Sequence, residues 1–240
     1  MRRDLLKTTA IILSAGKGRR LASDIPKQYM DVCGRPLLAY CLEAFEASCA
    51  DKIIIVCGAG DEEFVRENIA AGFGKVSRIV SGGAERYDSV LCGLRAAAGT
   101  DIALIHDGAR PFISHDAINK AVSAALEYGA AVCGMPVKDT IKLATGDGFI
   151  ESSTKRSLTW LMQTPQAFKY DLILKAYESV LPGLSPGDRS EITDDAGVFK
   201  LAYPDSGVKL IEGGYENIKI TTAEDLEFAA WKLGQGLISD

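Results

Sequence analysis

Short β-branched apolar runs alternate with segments of helical periodicity over the first 137 residues, and this alternation narrows the possible folds to one class. It predicts strands at 10–14, 52–58, 76–80, 102–106 and 130–137, and helices at 36–47, 62–71, 114–128 and from the 81–86 turn to about 98. Strands this apolar are typical of a parallel sheet buried between two layers of helices. We therefore expect an α/β fold, a Rossmann-like, mostly parallel twisted sheet flanked by helices on both faces.

The alternation of strands and helices stops at residue 138. From there, polar and apolar residues alternate on both sides of Thr145-Gly146-Asp147-Gly148. This pattern predicts a β-hairpin with few apolar side chains to bury against the main core. We expect residues 138–160 to form a protruding β-hairpin arm that packs on a partner. Helices at 170–180 and 193–200, a strand at 207–213 and a final helix that starts at Thr222 then complete one domain over residues 1–240.

Charge and cysteine usage disfavour several classes of function. With 27 Lys and Arg against 32 Asp and Glu, the net charge of −5 argues against a broad surface for nucleic acid or anionic membrane. The six cysteines contain no C-x-x-C pair and there are only two histidines, so no zinc cluster is predicted. We expect the cysteines to be small core residues in a reducing compartment, and we assign no metal-ligating residue.

The N-terminus resembles an export signal only in part. Twin arginines precede an apolar run, but the run Ala10–Ala15 falls short of the roughly 7–15 residues of such signals, and Lys17 follows it. No apolar run approaches the ~18 residues needed to cross a bilayer. We expect a cytoplasmic protein without membrane contact.

Three polar loops are predicted to share one edge of the sheet. Right-handed crossovers place the loop after each parallel strand at the edge where open α/β sheets bind ligands. The loops are 14–28, 81–89 and 107–112. A ligand site is therefore expected at this edge.

The first of these loops, SAGKGRRLASDIPKQ, fits neither common nucleotide motif. A dinucleotide fingerprint would need a third glycine where Leu21 stands, and a P-loop would need Lys-Ser/Thr after its second glycine. Small residues nevertheless let backbone N–H groups close around phosphate oxygens. The loop has one acid, Asp24, and four cations, Lys17, Arg19, Arg20 and Lys27. Its positive charge is comparable in size to the negative charge of a triphosphate. The alternative is a solvated basic loop.

Charged residues in other segments favour the phosphate interpretation. Asp107 and Arg110 directly follow the fourth strand, Arg86 and Ser89 follow the third, and Lys219 lies beyond a later apolar strand. Taken singly, Lys219 could be an exposed lysine and Arg110 a surface arginine that flanks a helix. Their joint placement at one edge indicates a common anionic ligand.

Together these motifs closely resemble the 2-C-methyl-D-erythritol 4-phosphate cytidylyltransferases of the non-mevalonate isoprenoid pathway. The matching elements run in order from about residue 10 to residue 230: SAGKGRR, PKQY, GGAERYDSV, HDGARPF, PVKDTIK, QTPQAF, ITDDA and ENIKIT. Departures are few. Ala84, for example, stands where the family commonly has an acidic residue.

The resemblance implies a role for each matching residue. Catalytic roles fall to Arg20, Lys27 and Lys219, and nucleotide-binding roles to Ser14, Ala15, Gly16, Gly18, Gly83, Arg86, Ser89 and Gly108. Binding of the acceptor falls to Asp107, Arg110 and Thr193, and to Thr140 and Arg156 from the arm of a second subunit. The resemblance also implies a homodimer built by arm exchange, and Mg²⁺ bound mainly through the phosphates of CTP.

In the family's reaction a phosphate oxygen of the sugar phosphate attacks the α-phosphorus of CTP and releases pyrophosphate. The alternatives are a ribitol-5-phosphate cytidylyltransferase, which has a similar fold and similar CTP loops, and a regulator that binds nucleotide without turnover. Retention of Arg20, Lys27 and Lys219 together argues against the regulator.

Overall fold

The computed structural model describes residues 6–16, 25–190 and 192–235. The strands are β1 (Thr8–Ser14), β2 (Asp31–Val32), β3 (Arg35–Pro36), β4 (Lys52–Cys57), β5 (Val76–Ser81), β6 (Ile102–Asp107), β7 (Ala130–Pro136), β8 (Lys142–Ala144), β9 (Ile150–Ser153), β10 (Trp160–Lys169) and β11 (Lys209–Glu212). The α-helices are α1 (Leu37–Glu46), α2 (Glu62–Val65), α3 (Arg86–Ala96), α4 (His115–Tyr128), α5 (Tyr170–Val180), α6 (Pro186–Ser190), α7 (Asp195–Ala202) and α8 (Ala223–Gly234). Short 3-10 turns lie at Lys27–Tyr29, Arg156–Leu158 and Leu181–Gly183, and a π turn at Arg66–Ala70 continues α2.

A seven-stranded sheet in the order β11-β7-β10-β6-β1-β4-β5 forms the centre of the fold. Its neighbouring strands pair in parallel, except that β10 runs antiparallel to both β6 and β7. The predicted α/β fold with a mostly parallel sheet is therefore confirmed.

Both faces of the sheet are buried because successive side chains of a strand point to opposite faces. Ala10 and Ile12 of β1 belong to a core that includes residues of α1 and α4, whereas Ile11 between them belongs to a core with α3, α5 and α7. All three residues are fully buried. Because the strands are buried on both faces, successive residues along each strand are apolar, which explains the near-continuous apolar runs in the sequence.

Strand β10 is absent from the sequence prediction, and its composition explains the omission. Its middle residues Gln163-Thr164-Pro165-Gln166 are polar or lack an N–H, which is atypical of a central strand. Its pairing with β7 shifts register between Met162 and Gln166, and the Thr164–Pro165 peptide is cis. The strand conformation of this segment is therefore explained by its pairing with β6 and β7 more than by its own residue types.

The predicted loops do share one edge of the sheet. Ser14 lies opposite Cys57, Cys57 lies opposite Ser81, and Leu13 lies opposite Asp107. Strands β1, β5 and β6 therefore end at neighbouring positions, and their loops emerge side by side.

Side-chain caps fix the starts of the later helices. The Ser114 hydroxyl accepts a hydrogen bond from the Ala117 N–H at the start of α4. Thr222 and Asp225 form the capping box that the sequence indicated for α8. At α7 the cap is Asp194, whose carboxylate accepts from the Gly197 N–H, so Thr193 lies just outside the helix.

Strands β8 and β9 form a separate antiparallel hairpin, as expected for the arm. The turn between them includes Gly148 at a positive φ of 91°. Phe149 and Ile150 at the tip are 70% and 69% exposed, and Leu158 at the base is 72% exposed. The arm therefore presents apolar side chains that the other described residues of its chain leave exposed.

The cysteines divide between core and surface. Cys41, Cys57 and Cys133 are buried, whereas Cys33 and Cys49 are exposed, and all six are free thiols. Cys33 occupies a tight turn at φ 53° between β2 and β3, which explains its exposure. Within the described ranges, no group of three or more His, Cys, Asp or Glu residues is arranged to hold a metal ion.

None of the helices described is long and apolar enough to span a membrane. The α4 helix, at 14 residues, is shorter than the roughly 20 residues that a bilayer core requires.

Candidate active site

Asp107, the last residue of β6, gathers three cations at the carboxyl edge of the sheet. Its Oδ2 lies 3.0 Å from the Lys219 Nζ and 3.4 Å from the Arg110 Nε, and its Oδ1 lies 3.6 Å from the Arg86 Nε. The Asp107 side chain is only 10% exposed, against 38% for Lys219. The edge thus has a net positive cluster around one buried carboxylate.

Charge pairing keeps this carboxylate ionised. Burial works against the charge of Asp107, but Lys219, Arg86 and Arg110 outweigh it and hold the pKa of the carboxyl well below its usual range. Asp107 is therefore an anion at any physiological pH.

Arg86 connects this cluster to the start of α7. Its two terminal nitrogens each lie 2.8 Å from a carboxylate oxygen of Asp195, a bidentate pair of the kind that fixes orientation. Asp195 is fully buried and also accepts a hydrogen bond from the Tyr177 hydroxyl. Burial disfavours charge on Arg86, yet Asp195 and then Asp107 raise the pKa of its guanidinium.

The segment 216–221 lies against the loop that follows β6. The Ile220 N–H donates to the Ala109 carbonyl at 2.8 Å, and the Arg110 Nη1 donates to the Asn217 carbonyl at 2.8 Å. The Asn217 side chain is fully buried and donates to the Thr164 carbonyl. These bonds bring Lys219 to Asp107, although the segment is extended chain rather than part of a strand.

Lys27 reaches the same place from the other end of the sequence. Its Nζ donates to the Ile220 carbonyl at 2.7 Å, next to Lys219 in the chain. The two predicted catalytic lysines thus converge, whereas Arg20 and Gly18 lie outside the described residues.

Three small residues allow the loops to approach one another. A Cβ at Gly82 would lie 2.6 Å from the Ala15 Cβ, and one at Gly108 would lie 3.0 Å from the Leu13 carbonyl oxygen. At Gly83 a Cβ would lie 2.3 Å from the Asp88 Cβ, and the Ser89 Oγ accepts from the Gly83 N–H at 3.1 Å. The backbones at Ala15, Gly82 and Gly108 therefore come together with little side-chain bulk between them.

Ser14 contributes to this site through its backbone. Its hydroxyl donates to the Val56 carbonyl within the sheet at 3.1 Å. At Gly16, the last described position before residue 25, no described residue comes within 4 Å of the place where a Cβ would stand. The Ser14 hydroxyl is therefore already engaged within the sheet, so a role of Ser14 toward a ligand would fall to its backbone.

His106 is buried beneath this site as a neutral imidazole. The Thr164 hydroxyl accepts from the Asp107 N–H, so its own hydrogen is available to the His106 Nδ1 at 3.0 Å. The Nε2 then carries the proton and donates to the Arg110 carbonyl at 3.2 Å. Burial lowers the pKa of His106 to about 4, although Asp107 acts in the opposite direction.

The remaining predicted residues lie in two places. Thr193 is exposed and directly precedes the Asp194 cap, so it stands two positions from the Arg86 partner Asp195. Thr140 and Arg156 are exposed at the two ends of the arm hairpin, before β8 and after β9. The three cations described above around Asp107 come from α3, from the loop after β6 and from the 216–221 segment, and none of them comes from the arm.

Several residues that shape the site received no predicted role, although Gln28, Thr164 and Asn217 lie in the matching motifs. Thr164, Asn217, Tyr177 and Gln28 act through hydrogen bonds between distant segments, which no local pattern indicates. The pair Asp194-Asp195 was noticed as a helix start and as part of the ITDDA motif, and the structure adds that the second carboxylate is the partner of Arg86.

Comparison with known proteins gives one consistent answer. A family model described as 2-C-methyl-D-erythritol 4-phosphate cytidylyltransferase matches residues 8–235. A curated protein of that name from Lachnoclostridium phytofermentans is 44% identical over 227 residues, which cover 93% of this chain and 94% of that protein. Another from Alkaliphilus oremlandii is 45% identical and covers 93% of each chain.

Solved structures agree with the sequence relatives. A 4-diphosphocytidyl-2C-methyl-D-erythritol synthase from Anaerococcus prevotii superposes with a TM-score of 0.83 at 32% identity, over 95% of this chain and 99% of the other. A 2-C-methyl-D-erythritol 4-phosphate cytidylyltransferase from Thermus thermophilus gives a TM-score of 0.75 at 31% identity, over 94% and 98%.

Fold, site and relatives define a nucleotidyltransferase, an enzyme class that transfers a nucleoside monophosphate group from a nucleoside triphosphate. Within that class, the chain belongs to the 2-C-methyl-D-erythritol 4-phosphate cytidylyltransferase family.

The state of His106 predicts a specific pH dependence of stability. Its pKa is about 4 when folded and 6.5 in the reference state, so between these values the unfolded chain binds a proton that the folded chain does not. Stability from this residue is fully present above pH 6.5 and is lost as the pH falls toward 4, by up to about 1.4 kcal/mol per pH unit.

Urea unfolding of the wild type and of His106→Gln between pH 7.5 and pH 5 measures this contribution. The free energy of unfolding should fall more steeply for the wild type below pH 6.5, and the two slopes should agree above pH 7. Parallel curves throughout the range would contradict a neutral buried His106.

Proposed function

We propose that this enzyme transfers the CMP group of CTP to 2-C-methyl-D-erythritol 4-phosphate, which gives 4-diphosphocytidyl-2-C-methyl-D-erythritol and pyrophosphate for isoprenoid biosynthesis. Membership of the family supports the reaction. The observation that carries it in the structure is the convergence of Lys219, Arg110 and Arg86 on one carboxylate at the ligand edge of the sheet. We expect it to act in the cytoplasm, where CTP is made.

The nucleotide side of the site is proposed to lie between the ends of β1 and β5. Backbone at Ser14, Ala15 and Gly16 meets the Gly82–Gly83 turn there, and Ser89 fixes that turn from α3. Backbone N–H groups beside small residues suit phosphate oxygens and a flat pyrimidine ring. We assign Gly108, directly after β6, to the same nucleotide side of the site. Gly18 belongs to the same proposal, and it lies outside the described residues.

The reaction needs little proton transfer. A phosphate monoester has a second pKa of about 6 and is already an anionic nucleophile near neutral pH. His106 is buried and neutral, and both of its ring nitrogens are engaged by protein groups, so it is unsuited to act as a general base. Catalysis then rests on bringing two anions together and on stabilising the charge that develops on the α-phosphoryl oxygens.

The cations around Asp107 are suited to that task. Lys219 is held beside the site by Asp107 and is still partly exposed, and Lys27 is held by the Ile220 carbonyl beside it. Both ammonium groups are therefore positioned before a substrate arrives, which lowers the reorganisation that catalysis requires. We propose Lys27, Lys219 and Arg20 as the residues that stabilise the transition state.

We propose that Mg²⁺ acts with CTP, held mainly through the phosphates of the nucleotide. Asp107 is the carboxylate nearest to this role, but Lys219, Arg110 and Arg86 already surround its oxygens. This fits an ion that keeps most of its waters and takes substrate phosphates as ligands. When bound, such an ion would neutralise part of the phosphate charge. The lysines and arginines of the chain would stabilise the negative charge that remains.

The acceptor is proposed to bind between Asp107, Arg110 and Thr193, with Thr140 and Arg156 supplied by the arm of a second subunit. The exposed apolar side chains of the arm support a homodimer, because Phe149, Ile150 and Leu158 are largely uncovered by the parts of their own chain that the structure describes. Arg86 is committed mainly to Asp195 and Asp107, so its proposed contact with nucleotide is made from the edge of its guanidinium.

An assay of pyrophosphate release with CTP and purified enzyme tests the reaction. We expect turnover with 2-C-methyl-D-erythritol 4-phosphate and little with ribitol 5-phosphate. Preference for ribitol 5-phosphate would establish the other acceptor class. Binding of CTP without turnover on either acceptor would indicate a regulator.

The proposed catalytic lysines predict a large loss of turnover on truncation. Lys219→Ala and Lys27→Ala should each lower kcat by on the order of 10²-fold or more, as loss of a transition-state charge partner does. Lys175→Ala, at an exposed position on α5, is the matched control and should keep the wild-type kcat. Near wild-type kcat for Lys219→Ala or Lys27→Ala would refute the role proposed for that lysine.

The arm predicts a split between the two substrates. Arg156→Ala should raise the KM for the sugar phosphate roughly 10-fold, because it removes a charge-assisted contact, and leave the KM for CTP unchanged. Sedimentation at the assay concentration should give a dimer for both wild type and variant. A rise in the KM for CTP instead would mean that the arm does not meet the acceptor.

A further inference from the structure

Gln28 is a buried polar residue at the junction of two parts of the active site, and although it lies in the PKQY motif, no role was predicted for it. It lies on the 3-10 turn Lys27–Tyr29 and is only 3% exposed. Its side-chain nitrogen donates hydrogen bonds to the carbonyls of Ser14 and Gly16, the latter at 3.1 Å. Both acceptors belong to the exit of β1, where the nucleotide loop begins.

These two bonds use the full donor capacity of a primary amide. The nitrogen of glutamine carries two hydrogens, and each one here has a main-chain carbonyl as its acceptor. A glutamate at this position would place an acceptor against two acceptors, and a methionine of similar length would leave both carbonyls without this partner. The contact therefore depends on the chemistry of glutamine more than on its shape.

The bonds also set the direction in which the loop presents its N–H groups. The peptide between Ser14 and Ala15 is trans, so its C=O and N–H point to opposite sides of one plane. The Ser14 carbonyl faces the Gln28 amide, and the Ala15 N–H therefore faces away from it. The region where Ala15 meets the Gly82 turn is the proposed nucleotide side of the site.

We propose that Gln28 is a positioning residue for nucleotide binding, which holds the carbonyls at the end of β1 so that backbone N–H groups face the phosphates of CTP. This inference rests on the proposed function and deepens it, since it names what orients the loop. Lys27 is the preceding residue and bonds to the Ile220 carbonyl, so one short turn fixes both the nucleotide loop and the segment with Lys219.

The turn has further anchors that do not depend on Gln28. The Tyr29 ring is buried and its hydroxyl donates to Asp61 at 3.1 Å, while the Leu37 N–H donates to the Met30 carbonyl at 2.9 Å. Replacement of Gln28 should consequently disturb the loop at 14–16 while the turn keeps its place.

The test compares Gln28→Glu and Gln28→Met with the wild type and with Gln235→Glu. Gln235 is exposed at the end of α8, so its variant makes the same charge change away from the site. Titration calorimetry with CTP and Mg²⁺, without acceptor, gives the affinity for the nucleotide. Steady-state assays give the KM for each substrate, and thermal unfolding reports on the fold.

Both Gln28 variants should weaken CTP binding by about 10-fold or more, the glutamate more strongly, because two carbonyls lose their donor and the glutamate also repels them. The KM for 2-C-methyl-D-erythritol 4-phosphate should change by less than about 3-fold, and Gln235→Glu should behave as the wild type. Wild-type affinity for CTP in both variants, or an equal rise in the KM of both substrates, would overturn the inference.

A measurement on the wild type keeps the inference testable if a variant does not fold. In the amide NMR spectrum, the resonance of Ala15 should shift when CTP is added, and an unchanged resonance in a CTP-saturated sample would overturn the inference. Failure of the proposed reaction is seen separately, as absence of turnover in the wild type, and leaves the comparison of CTP affinities intact.

Discussion

One carboxylate at the end of a central strand governs the arrangement of the active site. Asp107 is nearly buried, and it is kept ionised by three cations from α3, from its own loop and from the 216–221 segment. An unpaired buried charge would be costly, so each partner is drawn to a fixed position around it. The ion pair that stabilises the buried charge of Asp107 also keeps Lys219 at the place proposed for the phosphates.

The second layer of the site consists of hydrogen bonds between segments that are distant in sequence. Thr164 joins β10 to β6 through the Asp107 N–H, and Asn217 joins the 216–221 segment to β10. Asp195 of α7 holds Arg86 within the same layer of helices, and Tyr177 of α5 donates to that carboxylate. These groups are buried, so each one satisfies another polar group that would otherwise be left without a partner in the interior.

The sequence was informative where structure follows from local pattern and uninformative where it follows from distant pairing. Runs such as Ile53–Val56 predicted buried parallel strands, and the positions of Ser14, Ser81 and Asp107 at one edge followed from handedness alone. Strand β10 was missed because its polar, proline-containing centre is stabilised by two neighbouring strands that lie well before it in the chain. Gln28 was missed for a related reason, since its partners are the carbonyls of Ser14 and Gly16, which every residue type has.

The hydrogen bond from Lys27 to the Ile220 carbonyl spans 193 positions of the chain. A polypeptide still under synthesis can therefore build β1, β4, β5 and β6 long before the segment that carries Lys219 exists. The strands at the carboxyl edge therefore precede the 216–221 segment in synthesis, and the contact between Lys27 and Ile220 forms only after that segment is made. A chain truncated before residue 216 would retain these strands, but it would lack both Lys219 and the Ile220 carbonyl that holds Lys27.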